Sequence, residues 1–182
     1  MFDPHDRPVL SDGQVTLRPP RDADVEARMA FGWAPQVLRG YGVDATSLDS
    51  YRRADAVAWV EGHARTAHHF MIEADDALVG SVFLHAIDAA DRRATVAVGL
   101  LDDALLGRGI GTAALRLILG YGFDTLGLHR IALRVLADNA RAIACYRNLG
   151  FVEEGRLRQN AWVAGGWQDD ILMGLLSTEF AR

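Results

Sequence analysis

This chain of 182 residues predicts an α/β layered domain, and three observations carry that expectation. Strand-like and helix-like segments alternate along it, with no internal repeat and no low-complexity linker. In the middle, a strand-like run feeds a glycine-rich turn that opens a helix. Near the end, two long strand-like segments flank Ala164-Gly165-Gly166, a hairpin signal. The length fits a single domain over 1–182, with 1–13 as a flexible lead-in.

Each element follows from local chemistry. Gln14 to Arg18 alternates as a strand with Val15 and Leu17 on one face, and Pro19-Pro20 stops it. Asp22 is placed to cap a helix running to Phe31, with Glu26 near enough to assist. Pro35, Gly40 and Gly42 make 32–46 an irregular loop holding a short helical piece. Ser47 is placed to cap a helix to Glu61 that turns Leu48, Tyr51, Ala58 and Trp59 inward. Phe70–Glu73 and Ala77–His85 read as short strands joined through Ala74-Asp75-Asp76, and Ile87–Arg92 is a polar turn. Arg93 to Leu101 alternates little, which predicts a strand buried on both faces. Thr112 to Thr125 predicts a helix ended by Gly127, and Arg130 to Ala137 a strand with Ile131, Leu133 and Val135 on one face. Asn139 caps a further helix with Gly150 just past its end. Phe151–Trp162 and Trp167–Leu176 close the sheet.

Composition narrows the function classes. Half of the residues are apolar and 24% charged, a globular balance. No apolar run approaches ~20 residues, so a membrane-spanning helix and a membrane partner are not expected. The opening MFDPHDRPVLSDG lacks the basic and apolar regions of a secretory leader, and the single Cys145 cannot form an intramolecular disulfide. Both point to a cytoplasmic protein. A net charge of −5 argues against general nucleic-acid binding.

The glycine turn carries the first chemical signal. Gly107-Arg108-Gly109-Ile110-Gly111-Thr112 places backbone N–H groups at a helix N-terminus, where a pyrophosphate can settle without a Cβ in its way. Arg108 can add a charge. A P-loop would need a Gly-Lys-Ser/Thr ending, and the dinucleotide fingerprint would need glycine at Thr112. Neither pattern is met, and a purely structural turn stays open at this point.

The second signal lies between Asp138 and Phe151: an N-cap Asn139, Tyr146 seven residues on, and Leu149-Gly150-Phe151 at the helix exit. With it the chain resembles the GCN5-related N-acetyltransferases, and among them the group that acetylates ribosomal-protein N-termini. Thr16-Leu17-Arg18 with Asp22-Ala23-Asp24 looks like that group's opening. Gly80 followed by Arg92-Arg93-Ala94 looks like its middle hairpin. Glu154-Gly155 with Arg158, then Gly166, Asp169 and Met173, looks like its C-terminal hairpin.

The resemblance implies a mixed, mostly antiparallel sheet of about seven strands with helices on both faces, splayed where acetyl-CoA binds. It implies acetyl-CoA as donor, a primary amine as acceptor (a protein N-terminus or a small amine) and no metal, and it leaves a homodimer open. Val98, Gly99 and Leu100 would meet the pantetheine, and Leu106 to Thr112 the pyrophosphate. Asn139 and Ala142 would contact the cofactor arm, and Tyr146 would protonate the departing thiolate. A phenol of pKa about 10 can do so for a thiol of pKa about 8.5. Two positions depart from the pattern: Leu106 stands where the family usually has Gln or Arg, and Thr95 where relatives often carry glutamate. Without that carboxylate an acceptor of low pKa is favoured. Presenting a neutral α-amine at pH 7 costs about 1 kcal/mol, a lysine amine about 4.6 kcal/mol. Both departures also support an alternative, a non-catalytic acyl-CoA sensor on the same scaffold.

Other residues invite weaker readings. His85, Glu73 and Glu61 precede the cofactor strand and are conceivable bases. Trp33 and Tyr41, with Thr95, are candidate acceptor contacts, whereas Tyr51 and Trp59 sit at core spacing. Trp162 and Trp167 flank the last turn, within reach of the acceptor cleft or a partner subunit. Cys145 reads as a small buried hydrophobe. His68 and His69, adjacent on a strand, point to opposite faces and do not make a metal pair.

Overall fold

The computed structural model describes residues 7–43 and 48–181. They form an eight-stranded sheet in the order β1-β2-β3-β4-β5-β6-β8-β7, one strand more than expected. The strands are β1 (Leu10–Ser11), β2 (Thr16–Arg18), β3 (His69–Ala74), β4 (Ala77–Asp88), β5 (Arg93–Leu100), β6 (Arg130–Leu136), β7 (Val152–Val163) and β8 (Gly166–Leu176). All neighbours run antiparallel except β5 and β6. The helices are α1 (Asp24–Phe31), α2 (Pro35–Gly40), α3 (Arg53–Ala64), α4 (Ile110–Gly120) and α5 (Ala140–Asn148).

The extra strand lies in the segment expected to be flexible. Leu10 pairs with Leu17, and the Arg7 guanidinium donates to the carbonyls of Ala64 and His69. Residues 7–13 are therefore tied to the sheet. A caged arginine also sets the start of α1. Arg18, buried, makes two hydrogen bonds to Asp24, which also accepts the Arg21 N–H. Asp22 does not make the expected cap: α1 begins after Ala23 without a side-chain cap, and Asp24, its first residue, is held by Arg18 instead. Removing one partner of such a buried pair costs about 3–5 kcal/mol.

α3 begins later than expected, at Arg53, with the Asp55 carboxylate accepting the Arg52 N–H at 2.8 Å. Leu48 and Tyr51 precede it, Ala58 faces solvent, and Ala56, Val60 and His63 turn inward instead. Ser47 lies outside the described residues. α4 opens two residues early at Ile110 and gives way to a π-helical turn over Tyr121–Thr125. Its apolar face packs Ala114, Leu115, Ile118 and Leu119 into the main core, against β4 and β5, which Ile131, Leu133 and Val135 of β6 also enter. A smaller core, Met71, Leu78 and Leu101, lies under α1 and α3 with Phe31 and Trp59. Gly80 holds β4 against β5 closely enough that a Cβ there would collide with the Gly99 carbonyl.

Candidate active site

β5 and β6 pair only at Arg93–Arg130, Ala94–Ile131 and Thr95–Ala132. Beyond that point their partners lie elsewhere, and a cavity of about 590 Å³ opens between them. This explains why β5 is not buried on both faces as expected. Ala94 and Val96 enter the core, whereas Thr95, Ala97 and Gly99 border the cavity and are only half-buried.

One wall is made by β5, α4 and α5. Gly109 adopts φ +82° as the N-cap of α4, a conformation costly for other residues. No side chain caps the helix, and the first α-helical backbone bond runs from Ala113 N–H to Gly109. The preceding N–H groups are the ones a helix leaves unsatisfied. A Cβ at Gly107 or Gly111 would meet nothing within 4 Å, so the space over the turn is open. Asn139 caps α5 as expected, its Oδ1 accepting the Ala142 N–H at 3.2 Å. Tyr146 lies two turns further along, half-buried, with its ring edge-on to Phe151. Its hydroxyl has no hydrogen bond to the described residues. Burial, then the neighbouring Cys145, pushes the phenol up to about 12. Cys145 is half-buried, and its Sγ lies 3.1 Å from the Thr112 Oγ1, joining α5 to α4.

The opposite wall comes from α2, β4, β7 and β8. α2 spans the mouth of the cleft: the Val37 N–H donates to Asp103 at 3.1 Å, and Arg39 pairs with Asp138 at 2.7 Å. Tyr41 follows α2, and its phenol end lies directly against Gly99, leaving no room for a Cβ there. Although 45% of Tyr41 is open, that enclosed hydroxyl is raised by desolvation and then by Tyr146. Gly42 approaches Val163 and Ala161 of β7. His85, paired with Thr95, stands at the cleft edge with its imidazole lowered by burial. Deeper in, the buried Asp170 carboxylate accepts from Arg134 at 2.9 Å and from Asn160 at 2.7 Å.

The structure gathers most of the expected residues around this cavity: Val98 to Leu100, Leu106, Gly107, Gly109 to Thr112, Asn139, Ala142 and Tyr146, with Tyr41 and Thr95. Two it does not. Arg108 points to solvent outside the cavity. Trp33 is turned away, donating its indole N–H to the Asp49 carbonyl and packing edge-on to Tyr51. Glu73 is engaged by Arg18 and Glu61 by Arg65, both away from the cavity; of the three conceivable bases only His85 lines it. Trp162 and Trp167 form an exposed cross-strand pair, 5.2 Å between centroids. Arg134, Asn160 and Asp170 escape the sequence reading. The one available signal was a second acidic residue, Asp170, leading into the apolar run Ile171-Leu172-Met173.

The profile of the family described as "Acetyltransferase (GNAT) domain" matches residues 14–152. This chain belongs to the GNAT acetyltransferases. YdaF of Bacillus subtilis, named as a candidate ribosomal N-acetyltransferase, is 31% identical over 172 residues, covering 91% of this chain and 92% of that one. The spermidine N(1)-acetyltransferase of Escherichia coli K12 is 31% identical over 118 residues, 65% of this chain and 63% of that one. Among solved structures, Mycobacterium smegmatis RimJ in complex with CoA-disulfide superposes with a TM-score of 0.79 at 26% identity, covering 100% of this chain and 93% of that one. Spermidine N-acetyltransferase from Vibrio cholerae, in complex with CoA and spermine, superposes at 0.77 with 24% identity, over 92% and 98% of the two chains. As a GNAT enzyme the chain is an acetyl-CoA-dependent acyltransferase. The open space over Gly107 and Gly111 and the first-turn N–H groups of α4, unpaired among the described residues, fit a pyrophosphate-bearing donor.

Proposed function

We propose that this enzyme acetylates a primary amine directly, without an acyl-enzyme, and that an α-amine of a protein or peptide N-terminus is its preferred acceptor. The observation that carries the reading is Tyr146, a half-buried phenol without a hydrogen-bond partner among the described residues, at the edge of the slot where β5 and β6 part. Acetyl-CoA supplies the thioester carbonyl that the amine attacks. Backbone groups of Val98, Gly99 and Leu100 orient and polarise that carbonyl, and the N-terminal turn of α4 holds the pyrophosphate. Tyr146 keeps its proton well above neutral pH and delivers it from Oη to the departing sulfur. The acceptor approaches from the opposite wall, past Tyr41 and Thr95. Thr95 offers no carboxylate as base, so the attacking amine passes its proton to water, which favours an α-amine of low pKa over a lysine.

Similarity to YdaF, a candidate ribosomal N-acetyltransferase, supports a protein acceptor, whereas similarity to the spermidine enzymes supports a polyamine. The first extends over more of this chain. Free-thiol release from acetyl-CoA separates them, measured with free-N-terminus peptides, N-blocked lysine peptides, polyamines and aminoglycosides. Faster release with the free-N-terminus peptides is expected; faster transfer to the lysine peptides or polyamines would overturn the assignment.

A further inference from the structure

We propose that Asp170 is the carboxylate that holds the acceptor's ammonium group, at the level of the cleft where transfer takes place; this rests on the amine-acetyltransferase reading above. Register fixes that level. Thr95 of β5 lies beside Ala132 of β6. Four residues further along these parallel strands are Gly99 and Leu136, now on opposite sides of the opening. Leu136 pairs with Asp170 of β8. Asp170 therefore faces, across the slot, the Gly99 step where Tyr41 also arrives. Side-chain alternation agrees: Val135 and Ile171 enter the main core with Ala94 and Val96, so Leu136 and Asp170 belong to the other face of the sheet, with Thr95 and Gly99.

The carboxylate is set up rather than incidental. Both of its hydrogen bonds, from Arg134 and Asn160, go to Oδ2. Oδ1 takes none among the described residues, and Asp170 lines the cavity. Its own side chain is only 3% exposed, whereas that of Arg134 is 51% exposed, so water screens the cation more than the anion. Asn160 is delivered by an irregularity: the pairing of β7 with β8 shifts between Leu157–Asp170 and Ala161–Gln168. Gln159 sits there at φ +51°, its N–H held by Asp169 at 2.8 Å. Such bulges re-aim a side chain beside a functional site. An ion pair whose cation is half exposed contributes little stability, so a buried carboxylate on a cavity wall needs another cause. An alkylammonium ion supplies one: it offers donors to Oδ1 and a charge that Arg134 only partly balances.

Calorimetric titration of the CoA-loaded chain tests this, with a short free-N-terminus peptide and with spermidine as probes and the N-acetylated peptide as control. Binding of the peptide alone assigns an α-ammonium, and binding of spermidine alone a polyamine. Asp170→Asn is expected to weaken the bound probe about 10–100-fold, as loss of a charged hydrogen bond does, while CoA still raises the melting temperature. Arg134→Gln is expected to tighten it, because the competing cation is gone. A purely structural Asp170 requires the reverse in the second variant, since its buried carboxylate would lose its partner. Should Asp170→Asn not fold, Arg134→Gln alone decides, tightening in favour and weakening against. Unchanged binding in Asp170→Asn, or binding of neither probe by the unaltered chain, overturns the proposal. Thiol release judges the transferase reading separately: probes held through Asp170 without turnover would keep the anchor and lose the transfer.

Discussion

Along β5, α4 and α5 the cleft offers the backbone of Val98 to Leu100 and of the glycine turn, with a cap made within a few residues, Asn139 to Ala142. Along α2, β7 and β8 it is held together by contacts between residues far apart in the chain: Val37 N–H to Asp103, Arg39 to Asp138, Arg134 to Asp170. The first wall can accept the same donor in any member of the family, because peptide groups do not change with sequence. The second can change its acceptor by single substitutions without disturbing the donor. A division of labour between the walls is therefore testable: damage on one side should leave the other side's ligand alone.

The largest expected effect is on the donor wall. Tyr146→Phe removes one hydroxyl and should lower kcat about 10²–10⁴-fold while CoA binding, read by thermal shift, stays as it was. The raised phenol does not argue against proton donation. Burial disfavours a tyrosinate and a thiolate alike, so the departing sulfur becomes more basic in the same surroundings. A loss of CoA affinity as large as the loss of turnover would instead make Tyr146 a binding residue.

A smaller effect lies behind the acceptor wall. His63, His69, Phe83 and His85 form a chain of ring contacts from α3 through β3 to the cleft edge. Burial, then His63, Arg7, His85 and His68, lowers His69 to about 3, and burial lowers His63, His68 and His85 as well. Tyr121 faces His68, its Oη 3.0 Å from Nδ1, and is uncharged in this range. The folded state binds these protons less readily than the unfolded one, whose histidines titrate near 6.5. Their contribution is thus complete above about pH 6.5 and is lost as pH falls from there toward 3. The melting temperature should fall over that window, and His69→Phe, which keeps the stacking on Phe83, should flatten the fall. An equally steep fall in the variant would place the acid sensitivity elsewhere.

The same contrast explains what could be read from the chain alone. β6, α5 and the last hairpin follow from short-range signals: the alternation of Ile131, Leu133 and Val135, the cap at Asn139, the turn at Ala164-Gly165. Boundaries slipped where a tertiary partner overrode the local rule. α1 starts without the Asp22 cap, its first residue Asp24 held by Arg18, and the lead-in became a strand whose start Arg7 ties to two carbonyls. The acceptor wall was least legible. Arg134 and Asp170 are separated by 36 residues, and the bulge that brings Asn160 to them leaves no turn signature in its sequence. Trp33 misled for the opposite reason: an aromatic in a loop suggested a ligand, whereas its indole has a carbonyl to satisfy.

The smallest effect sharpens the account of the donor wall. Leu106 lines the cavity where the family resemblance implies Gln or Arg, while Arg108, two residues on, points to solvent. If the wall works chiefly through backbone N–H groups, Leu106 costs the enzyme only a peripheral contact. Leu106→Arg should then tighten CoA about 2–5-fold, the value of one exposed charge near a phosphate, and less so at high salt. Arg108→Ala should change CoA affinity by less than about 2-fold, because an exposed long-range charge is largely screened. A tenfold loss in Arg108→Ala would mean that the arginine folds over the bound phosphates, and that this wall relies on a side chain after all.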